Sequence, residues 1–417
     1  MGYVLGVVLF AVGIGLSIAL HEWGHMRVAQ ACGMRVRRYF IGFGPTLWSF
    51  RRGHTEYGFK AIPLGGFCDI AGMTADDPIT EEERPQAMVY KPWWQRIAVL
   101  SGGVAMNFLV GTVVLYIVAA TAGLPNPHPD LTATVAEASC VPPSQVDSKT
   151  LAECTGPGPA SEAGLREGDR IVALGGSPVE SFMQLRQRLQ EMPGQTAVLT
   201  VERPSDASHA ADGPAPQRQT ETKEISVPVA SVSRLDTQGQ EHTVGAIGVS
   251  SKPPSDLILH YGPLQAIPAT VNYAGEMLRA TVTGIAKLPG QVPGVVESIF
   301  GGHRSQESPM SVVGATRVGG ELAERSQWAV FLQLLAGLNF FLMLFNFVPL
   351  PPLDGGHVAM VVYEKLRDAV RRARGLQPAG PASYERIMPV TVAVSALLLG
   401  LGAVMIVADV VNPVRLF

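Results

Sequence analysis

The sequence predicts a polytopic α-helical membrane protein with four transmembrane helices, a membrane-associated β-hairpin and one extracytoplasmic α+β domain. Charged residues make up only 16% of the 417 residues, 47% are hydrophobic, and the mean hydropathy is positive at +0.21. Soluble globular domains carry about 25% charged residues, so this balance favours a membrane protein. Four stretches contain no Asp, Glu, Lys or Arg, whereas residues 123–252 carry short β-type runs separated by turn residues.

The four charge-free stretches are residues 1–20, 97–122, 328–353 and 388–408. About 20 apolar residues are needed to cross the hydrocarbon core of a bilayer. Buried helices of a large soluble protein are the alternative, but four stretches of this length and purity favour membrane spans. The first stretch has neither a basic beginning nor a small-residue cleavage site at its end. We therefore expect it to be kept as a helix rather than removed as a signal peptide.

Basic residues set the predicted orientation. They concentrate between the first and second spans and between the third and fourth. The positive-inside rule then places both segments in the cytoplasm, with the N-terminus and residues 123–327 outside. A net charge of −3 argues against a nucleic-acid partner.

These observations divide the chain into eight segments. In order, they are a first transmembrane helix (1–30), a cytoplasmic-side β-hairpin and loop (31–96), a second transmembrane helix (97–122), the outward α+β domain (123–252), an outward amphipathic segment (253–327), a broken third transmembrane helix (328–366), a cytoplasmic loop (367–387) and a fourth transmembrane helix (388–410). A helix expected at 263–288 lies either at the outer membrane interface or against the outward domain.

Residues 158–190 of the outward domain predict a turn, a buried strand, a Gly-Gly turn and an amphipathic helix, and later runs predict further strands. Two low-complexity inserts, residues 138–156 and 203–222, should be surface loops, and we expect the second to be disordered. Cys140 and Cys154 fall in the first insert, where they form either a disulfide or two free thiols.

The motif "HEWGH" at the end of the first stretch has the spacing of a catalytic zinc site. His21 and His25 are four residues apart and project from one face of a helix, and Glu22 lies beside them. Ionisable groups at the end of a membrane span cost free energy to bury, so their presence there indicates a function.

A hydrolytic zinc site takes three protein ligands, and Asp354 is the candidate for the third. It is the first charged residue after Arg325, and it follows a helix that Pro349, Pro351 and Pro352 must break. At 1.5 Å per residue the two histidines lie roughly 27–33 Å along the first helix, near the cytoplasmic edge of a ~30 Å core. Asp354 reaches a comparable depth in the third span, so we expect it to meet the histidines.

In their order along the chain, these motifs resemble the site-2 protease family of intramembrane zinc metalloproteases, in particular the bacterial members with an envelope PDZ domain. The resemblance runs through HExxH, "IPLGG", the GxxxN of residues 103–107, the outward turn "GPASEAGLREGDRI" and the NxxPxPxLDGG of residues 346–356. It implies a bacterial inner-membrane protein that holds one Zn²⁺ with His21, His25 and Asp354. Glu22 would be the general base.

The resemblance also suggests residues that bind substrate. Asn346 would bind the substrate backbone or the oxyanion, and Asn107 is a second candidate; for both, the alternative is a hydrogen bond between helices. Gly65 and Gly66 lie in the "IPLGG" run, a candidate edge strand that could hold an unwound substrate by β-addition. The alternative for this run is a plain structural hairpin.

The implied function is hydrolysis of a peptide bond within or near the transmembrane segment of a single-span membrane protein in the lipid bilayer. An anti-sigma factor already cut outside by another protease is the expected substrate class, so this would be the second cut of regulated intramembrane proteolysis. The PDZ domain would bind a new peptide C-terminus or act as a size filter. A non-enzymatic membrane scaffold presenting a PDZ domain is the alternative, although a scaffold has no reason to keep Asp354 at this depth.

Overall fold

The computed structural model describes residues 1–145, 151–204, 220–235, 241–254, 256–302, 304–305, 308–383, 385 and 387–414. Residues 205–219, most of the second expected insert, lie outside the described residues. The chain forms two compact units, one of Met1–Leu124 with His260–Phe417 and one of Pro125–Leu259. We call them the helical unit and the strand unit.

The bounds of the elements follow in chain order. The helices are α1 (Gly2–Ala31), α2 (Trp93–Leu100), α3 (Gly102–Thr121), α4 (Pro159–Glu162), α5 (Phe182–Gln190), α6 (Pro263–Ile299), α7 (Val312–Glu324), α8 (Trp328–Asn346), α9 (Asp354–Ala373) and α10 (Met388–Val411). The strands are β1 (Val36–Arg52), β2 (Thr55–Ile70), β3 (Leu124–Pro125), β4 (Ala133–Ala138), β5 (Arg170–Leu174), β6 (Ser177–Pro178), β7 (Thr196–Pro204), β8 (Thr220–Pro228), β9 (Ala230–Leu235), β10 (Glu241–Ala246), β11 (Val249–Ser251) and β12 (Ile258–Leu259). Two short 3-10 turns, Arg84–Gln86 and Met88–Tyr90, precede α2.

Four helical segments among the described residues are long and apolar enough to cross a membrane. They are Gly2–Ala31, Trp93–Thr121, Trp328–Asn346 and Met388–Val411, and each overlaps one of the charge-free stretches of the sequence. A helix that is apolar on every side needs lipid or a protein core around it. The chain is therefore a polytopic membrane protein, as the sequence predicted.

The second span consists of α2 and α3, which meet at Ser101. Gly24 of α1 lies directly against Gly102 of α3, because a Cβ on Gly24 would come within 2.3 Å of the Gly102 carbonyl oxygen. Small residues permit this close approach of two helix backbones. The start of α3 is thereby brought onto the last turns of α1, where the "HEWGH" motif lies.

The third span is broken where the prolines predict it. α8 ends at Asn346, residues 347–353 form a turn that contains all three prolines, and α9 begins at Asp354. Proline has no backbone N–H and cannot continue the helix. α9 runs to Ala373. The loop expected at 367–387 therefore begins later than predicted, because the Arg- and Ala-rich end of α9 favours a helix.

β1 and β2 form a sheet that is more complex than the predicted hairpin. Residues 38–41 of β1 pair with residues 66–69 of β2 on one side and with residues 56–59 on the other. Gly42 has a φ of +92°, a backbone conformation that favours glycine, and β1 bends there. Beyond the bend, residues 43–52 are all exposed, and they include Phe43, Leu47, Trp48 and Phe50.

α6 and α7 cover the segment that we expected to be amphipathic. α6 packs on α3, α8 and α10 of the helical unit. Its Ala274, for example, joins Leu115 of α3 and Phe340 of α8 in one buried cluster. The prediction did not include α7, whose Val318 and Leu322 are buried against Phe10 of α1. The helix that begins at Pro263 is therefore part of the helical unit.

The strand unit contains a sheet of strand order β11-β4-β5-β7-β8, with β6 paired to β5, and a separate β9-β10 pair. Alternate residues of these strands and two leucines of α5 form one apolar core. Arg203 forms two hydrogen bonds of 2.7 Å to the fully buried carboxylate of Asp169. Cys140 and Cys154 form a disulfide with 5.9 Å between their Cα atoms, so the first of the two alternatives for this pair is correct.

Candidate metal centre

The three candidate ligands meet in the helical unit. His21 and His25 lie one turn apart on the buried side of α1, with 3.2 Å between their Nε2 atoms. Asp354, the first residue of α9, places its Oδ2 3.2 Å from His21 Nε2 and 3.3 Å from His25 Nε2. Two spans distant in sequence thus bring two imidazoles and one carboxylate to one point.

This arrangement fits a zinc ion. Zinc binds His nitrogen and carboxylate oxygen at about 2.0–2.2 Å in tetrahedral geometry, which separates neighbouring ligand atoms by about 3.3 Å. The three separations observed are 3.2, 3.2 and 3.3 Å. Asp354 Oδ2 is buried and has no hydrogen-bond partner within the described residues. A cation between the three atoms would satisfy this oxygen and both nitrogen lone pairs.

Each imidazole is also held at its second nitrogen. His25 Nδ1 donates a hydrogen bond of 2.8 Å to the carbonyl oxygen of Val99 in α2, which leaves the Nε2 lone pair for a metal. His21 Nδ1 lies 3.1 Å from the side-chain amide nitrogen of Asn107 in α3. Asn107 is fully buried, and its Oδ1 has no partner among the described residues.

Gly103 of α3 keeps open the space beside the two ring nitrogens. A Cβ at this position would lie 2.4 Å from His25 Nε2 and 2.7 Å from His21 Nε2, closer than real Cβ contacts come. Any other residue would push the imidazoles away or fill the space next to them. The glycine of the GxxxN motif therefore belongs to the site.

Glu22 lies between the metal candidates and the β1-β2 sheet. A Cβ added to Gly66 would lie 3.3 Å from Glu22 Cγ, and the backbone of Cys68 lies beside the Glu22 carboxylate. Residues 65–68 of β2 thus run past this side chain.

A cavity of about 300 Å³ joins these groups. It is lined by seven of the eight residues that the sequence singled out, namely His21, Glu22, Gly65, Gly66, Asn107, Asn346 and Asp354. His25 lies outside this lining, although its Nε2 is adjacent to the other two candidate ligands. The cavity is large enough for part of an extended peptide.

Sequence reasoning missed three contributions to the site. Two of them are the backbone carbonyl of Val99 and the open space at Gly103. Neither involves a side chain with recognisable chemistry, so the GxxxN resemblance was the only signal near them in the sequence. The third is a buried ion pair between Arg96 of α2 and Glu364 of α9. A charged residue at the very start of an apolar span was the one signal that could have indicated it.

The chain is similar to known proteins over most or all of its length. The family model described as "Peptidase family M50" matches residues 9–379. The chain is 45% identical over 424 residues to the zinc metalloprotease Rip1 of Mycolicibacterium smegmatis and 43% identical over 422 residues to that of Mycobacterium tuberculosis, with 100% of both chains covered in each case. A putative zinc metalloprotease of Mesorhizobium japonicum is 29% identical over 372 residues, 85% of each chain. The chain therefore belongs to peptidase family M50, the site-2 protease family of membrane zinc metalloproteases.

Proposed function

We propose that this protein is an intramembrane zinc endopeptidase that cuts a single-span membrane protein within or near its transmembrane segment. The observation that carries the proposal is the His21, His25 and Asp354 triangle inside the helical unit, of which His21 and Asp354 line one cavity with Glu22. The chain's membership of a metalloprotease family argues against the alternative of a non-enzymatic scaffold.

In this proposal His21, His25 and Asp354 hold the zinc ion. A nitrogen that binds metal needs its lone pair, so His21 must carry its proton on Nδ1 and donate it to Asn107. Turning the Asn107 amide by 180° would present the unpartnered Oδ1 to Nδ1 as the acceptor. Asn107 then orients a ligand by a hydrogen bond between helices, and it also lines the cavity, where the sequence made it a candidate for binding substrate.

Glu22 is the proposed general base. Its carboxylate takes a proton from the attacking water and then delivers a proton to the nitrogen of the leaving amine. Zinc, when bound, polarises the scissile carbonyl and makes the water a stronger nucleophile. Asn346, which lines the same cavity, would donate a hydrogen bond to the substrate backbone or to the developing oxyanion.

A substrate helix must unwind before it can be cut, because a helix bonds all its backbone groups internally. We propose that residues 65–68 of β2 hold the unwound segment as an added strand, beginning at Gly65 and Gly66. Pairing of residues 66–69 with β1 on one side, and the passage of this strand beside Glu22, support this. The exposed aromatic residues of β1 suit contact with lipid, so the sheet would meet its substrate at the membrane.

The remaining parts of the proposal concern place and partners. The basic segments put the metal centre near the cytoplasmic side of a bacterial inner membrane, with the N-terminus and the strand unit outside. The strand unit would be a PDZ domain with its expected bounds at 123–252. A cavity of about 510 Å³ between α5 and β10 suits a peptide C-terminus, such as that of an anti-sigma factor pre-cut by another protease.

The test is cleavage of a single-span membrane protein labelled at both ends by the purified chain, alongside its metal content. We expect Glu22→Gln to keep zinc and to lower the cleavage rate by about 10²–10⁴-fold. Glu324→Gln, at an exposed position near the end of α7, is the matched control and should cut like the parent chain. Equal rates for the parent and Glu22→Gln would rule out this role of Glu22, and cleavage by a zinc-free protein would overturn the whole proposal.

A further inference from the structure

The helix that carries Asp354 has few buried residues. α9 buries only Gly355, Val361 and Glu364 among its described residues. Its main packing partner is α2, the short helix that opens the second span. A cavity of about 700 Å³ lies along another face of α9, lined by His357, Tyr363 and Arg367 among others. The contact with α2 therefore helps to position α9, together with hydrogen bonds between the side chains of α9 and residues 377–382.

One buried ion pair joins α2 to α9. Arg96 Nη1 of α2 donates a hydrogen bond of 2.6 Å to Glu364 Oε2 of α9, and both side chains are only 9% exposed. The other carboxylate oxygen accepts a hydrogen bond of 2.9 Å from the backbone N–H of Ala382. Arg96 Nε is buried without a partner, so Glu364 is the group that neutralises this guanidinium within the described part of the chain.

The same short helix also holds one of the histidines. Val99, one turn after Arg96, accepts the hydrogen bond from His25 Nδ1 and is fully buried. Val99 and Val361 of α9 belong to one apolar cluster. α2 thus contacts both His25, a candidate ligand from α1, and α9, the helix that begins with the candidate ligand Asp354.

Small movements of α9 matter because zinc sites tolerate little displacement. Glu364 follows Asp354 by ten residues, which is about 15 Å of helix. A tilt of about 5° around Glu364 would move Asp354 by ~1.3 Å. Ligand distances in metal sites vary by only about ±0.2 Å. A few degrees of tilt would therefore remove Asp354 from the ligand set.

We propose that Arg96 and Glu364 form a positioning clamp that sets Asp354 against His21 and His25. The inference rests on the zinc site proposed above and adds two residues that touch neither metal nor substrate. Loss of the clamp should leave the two histidines in place but displace the third ligand. The pair is therefore expected to control zinc affinity and coordination geometry rather than only the stability of the fold.

The test uses the full chain in detergent, with zinc affinity measured by competition with a chromogenic chelator. We expect Glu364→Gln to bind zinc about 10–100-fold more weakly than the parent chain, the range found when groups that orient metal ligands are removed. Substitution by Co²⁺ supplies a second readout. The intense visible bands of four-coordinate cobalt should weaken in Glu364→Gln, since a lost carboxylate ligand changes the coordination.

A second variant restores the pair in reverse. The double substitution Arg96→Glu with Glu364→Arg should recover the cobalt spectrum and most of the zinc affinity, and it keeps the proposal testable where a single variant folds poorly. Asp409→Asn is the matched control. It breaks another buried ion pair, with Arg304, that is not among the contacts of the metal centre, so it should lower thermal stability without changing zinc affinity.

The outcomes separate the clamp from the site itself. If Glu364→Gln loses stability as Asp409→Asn does but keeps the parent zinc affinity and cobalt spectrum, the clamp is wrong and the pair is structural. His21→Ala is the check on the underlying site. If that variant keeps its zinc, the proposed ligand set has failed, whatever the clamp variants show.

Discussion

Arg304 and Asp409 form an ion pair with 2.5 Å between Nη2 and Oδ1, although both side chains are only 1% exposed. The pair fixes the end of α10 to the segment that joins α6 to α7. Arg304 also donates to the carbonyl of Asn412, and Asp409 accepts the backbone N–H of Ser311 at the start of α7. The last span is therefore anchored at one end by buried charges.

Removing one partner of this pair should destabilise the protein strongly. Asp409→Ala leaves the Arg304 guanidinium buried and unpaired, which costs about 3–5 kcal/mol. The measurement is thermal unfolding in detergent. Glu321→Ala is the control, because it breaks the partly exposed pair with Arg317 within α7 and should cost only about 0.3–0.5 kcal/mol. Equal effects of the two substitutions would contradict the assignment of Arg304 and Asp409 as the anchor.

Gly103→Ala should abolish zinc binding. The added methyl group would enter the space beside both Nε2 atoms and displace the imidazoles. Gly15→Ala in α1 is the matched control, since a Cβ there meets no atom within 4 Å. Metal content of the purified variants decides the matter, and a Gly103→Ala protein with its full zinc would show that the imidazoles can move aside.

Asn107 should act on zinc through its acceptor oxygen. Asn107→Leu removes the partner of His21 Nδ1 and is expected to weaken zinc binding by about 10–100-fold. Asn107→Asp keeps an oxygen at the same position and should retain most of the affinity. Chelator competition measures both variants. The orienting role would be refuted by an Asn107→Leu protein that binds zinc as tightly as Asn107→Asp.

Acid should weaken the loop before α2. Hydrogen bonds from Arg37 lower the pKa of Glu83 from 4.5 to about 2. Because the folded-state pKa lies below the ordinary value, the stability that this pair contributes is present above pH ~4.5 and is lost as the pH falls towards 2.

Glu83→Gln should therefore be less stable than the parent chain at pH 7, by about 1.5–3 kcal/mol, and this difference should shrink below pH 4.5. Thermal unfolding across this pH range measures it. Glu82→Gln is the control, because the Glu82 side chain is 87% exposed and lies 4.0 Å from Arg35. A gap between the parent and Glu83→Gln that stays constant with pH would contradict the pairing.

The sequence was most informative where membrane physics restricts the choices. Charge-free stretches predicted the spans, and the prolines after Phe347 predicted the break before Asp354. Counting residues into the membrane placed Asp354 at the depth of His21 and His25, and the structure brings their ligand atoms within 4.8 Å of one another. That these three residues bind the zinc stays a prediction.

Other features lie beyond local patterns. Arg96 and Glu364 are 268 residues apart. The sequence around each residue gives no sign that the two form an ion pair. α7 contains Arg317 and Glu321, so its sequence is typical of a surface helix although its other face is buried on α1. β1 and β2 bend, so that one part of β1 pairs with two parts of β2. These bends leave the alternation of apolar and polar residues nearly unchanged, and the sequence therefore does not reveal them.

The break between α8 and α9 has a consequence for synthesis. Asp354 follows the two histidines by about 330 residues, so the ribosome must add the strand unit and two further spans before the ligand set is complete. At about 5–20 residues per second this interval is on the order of 20–60 s. During that time the nascent chain has only the two imidazoles of His21 and His25 to bind zinc. Its newly inserted helices therefore do not meet a complete active site in the same chain.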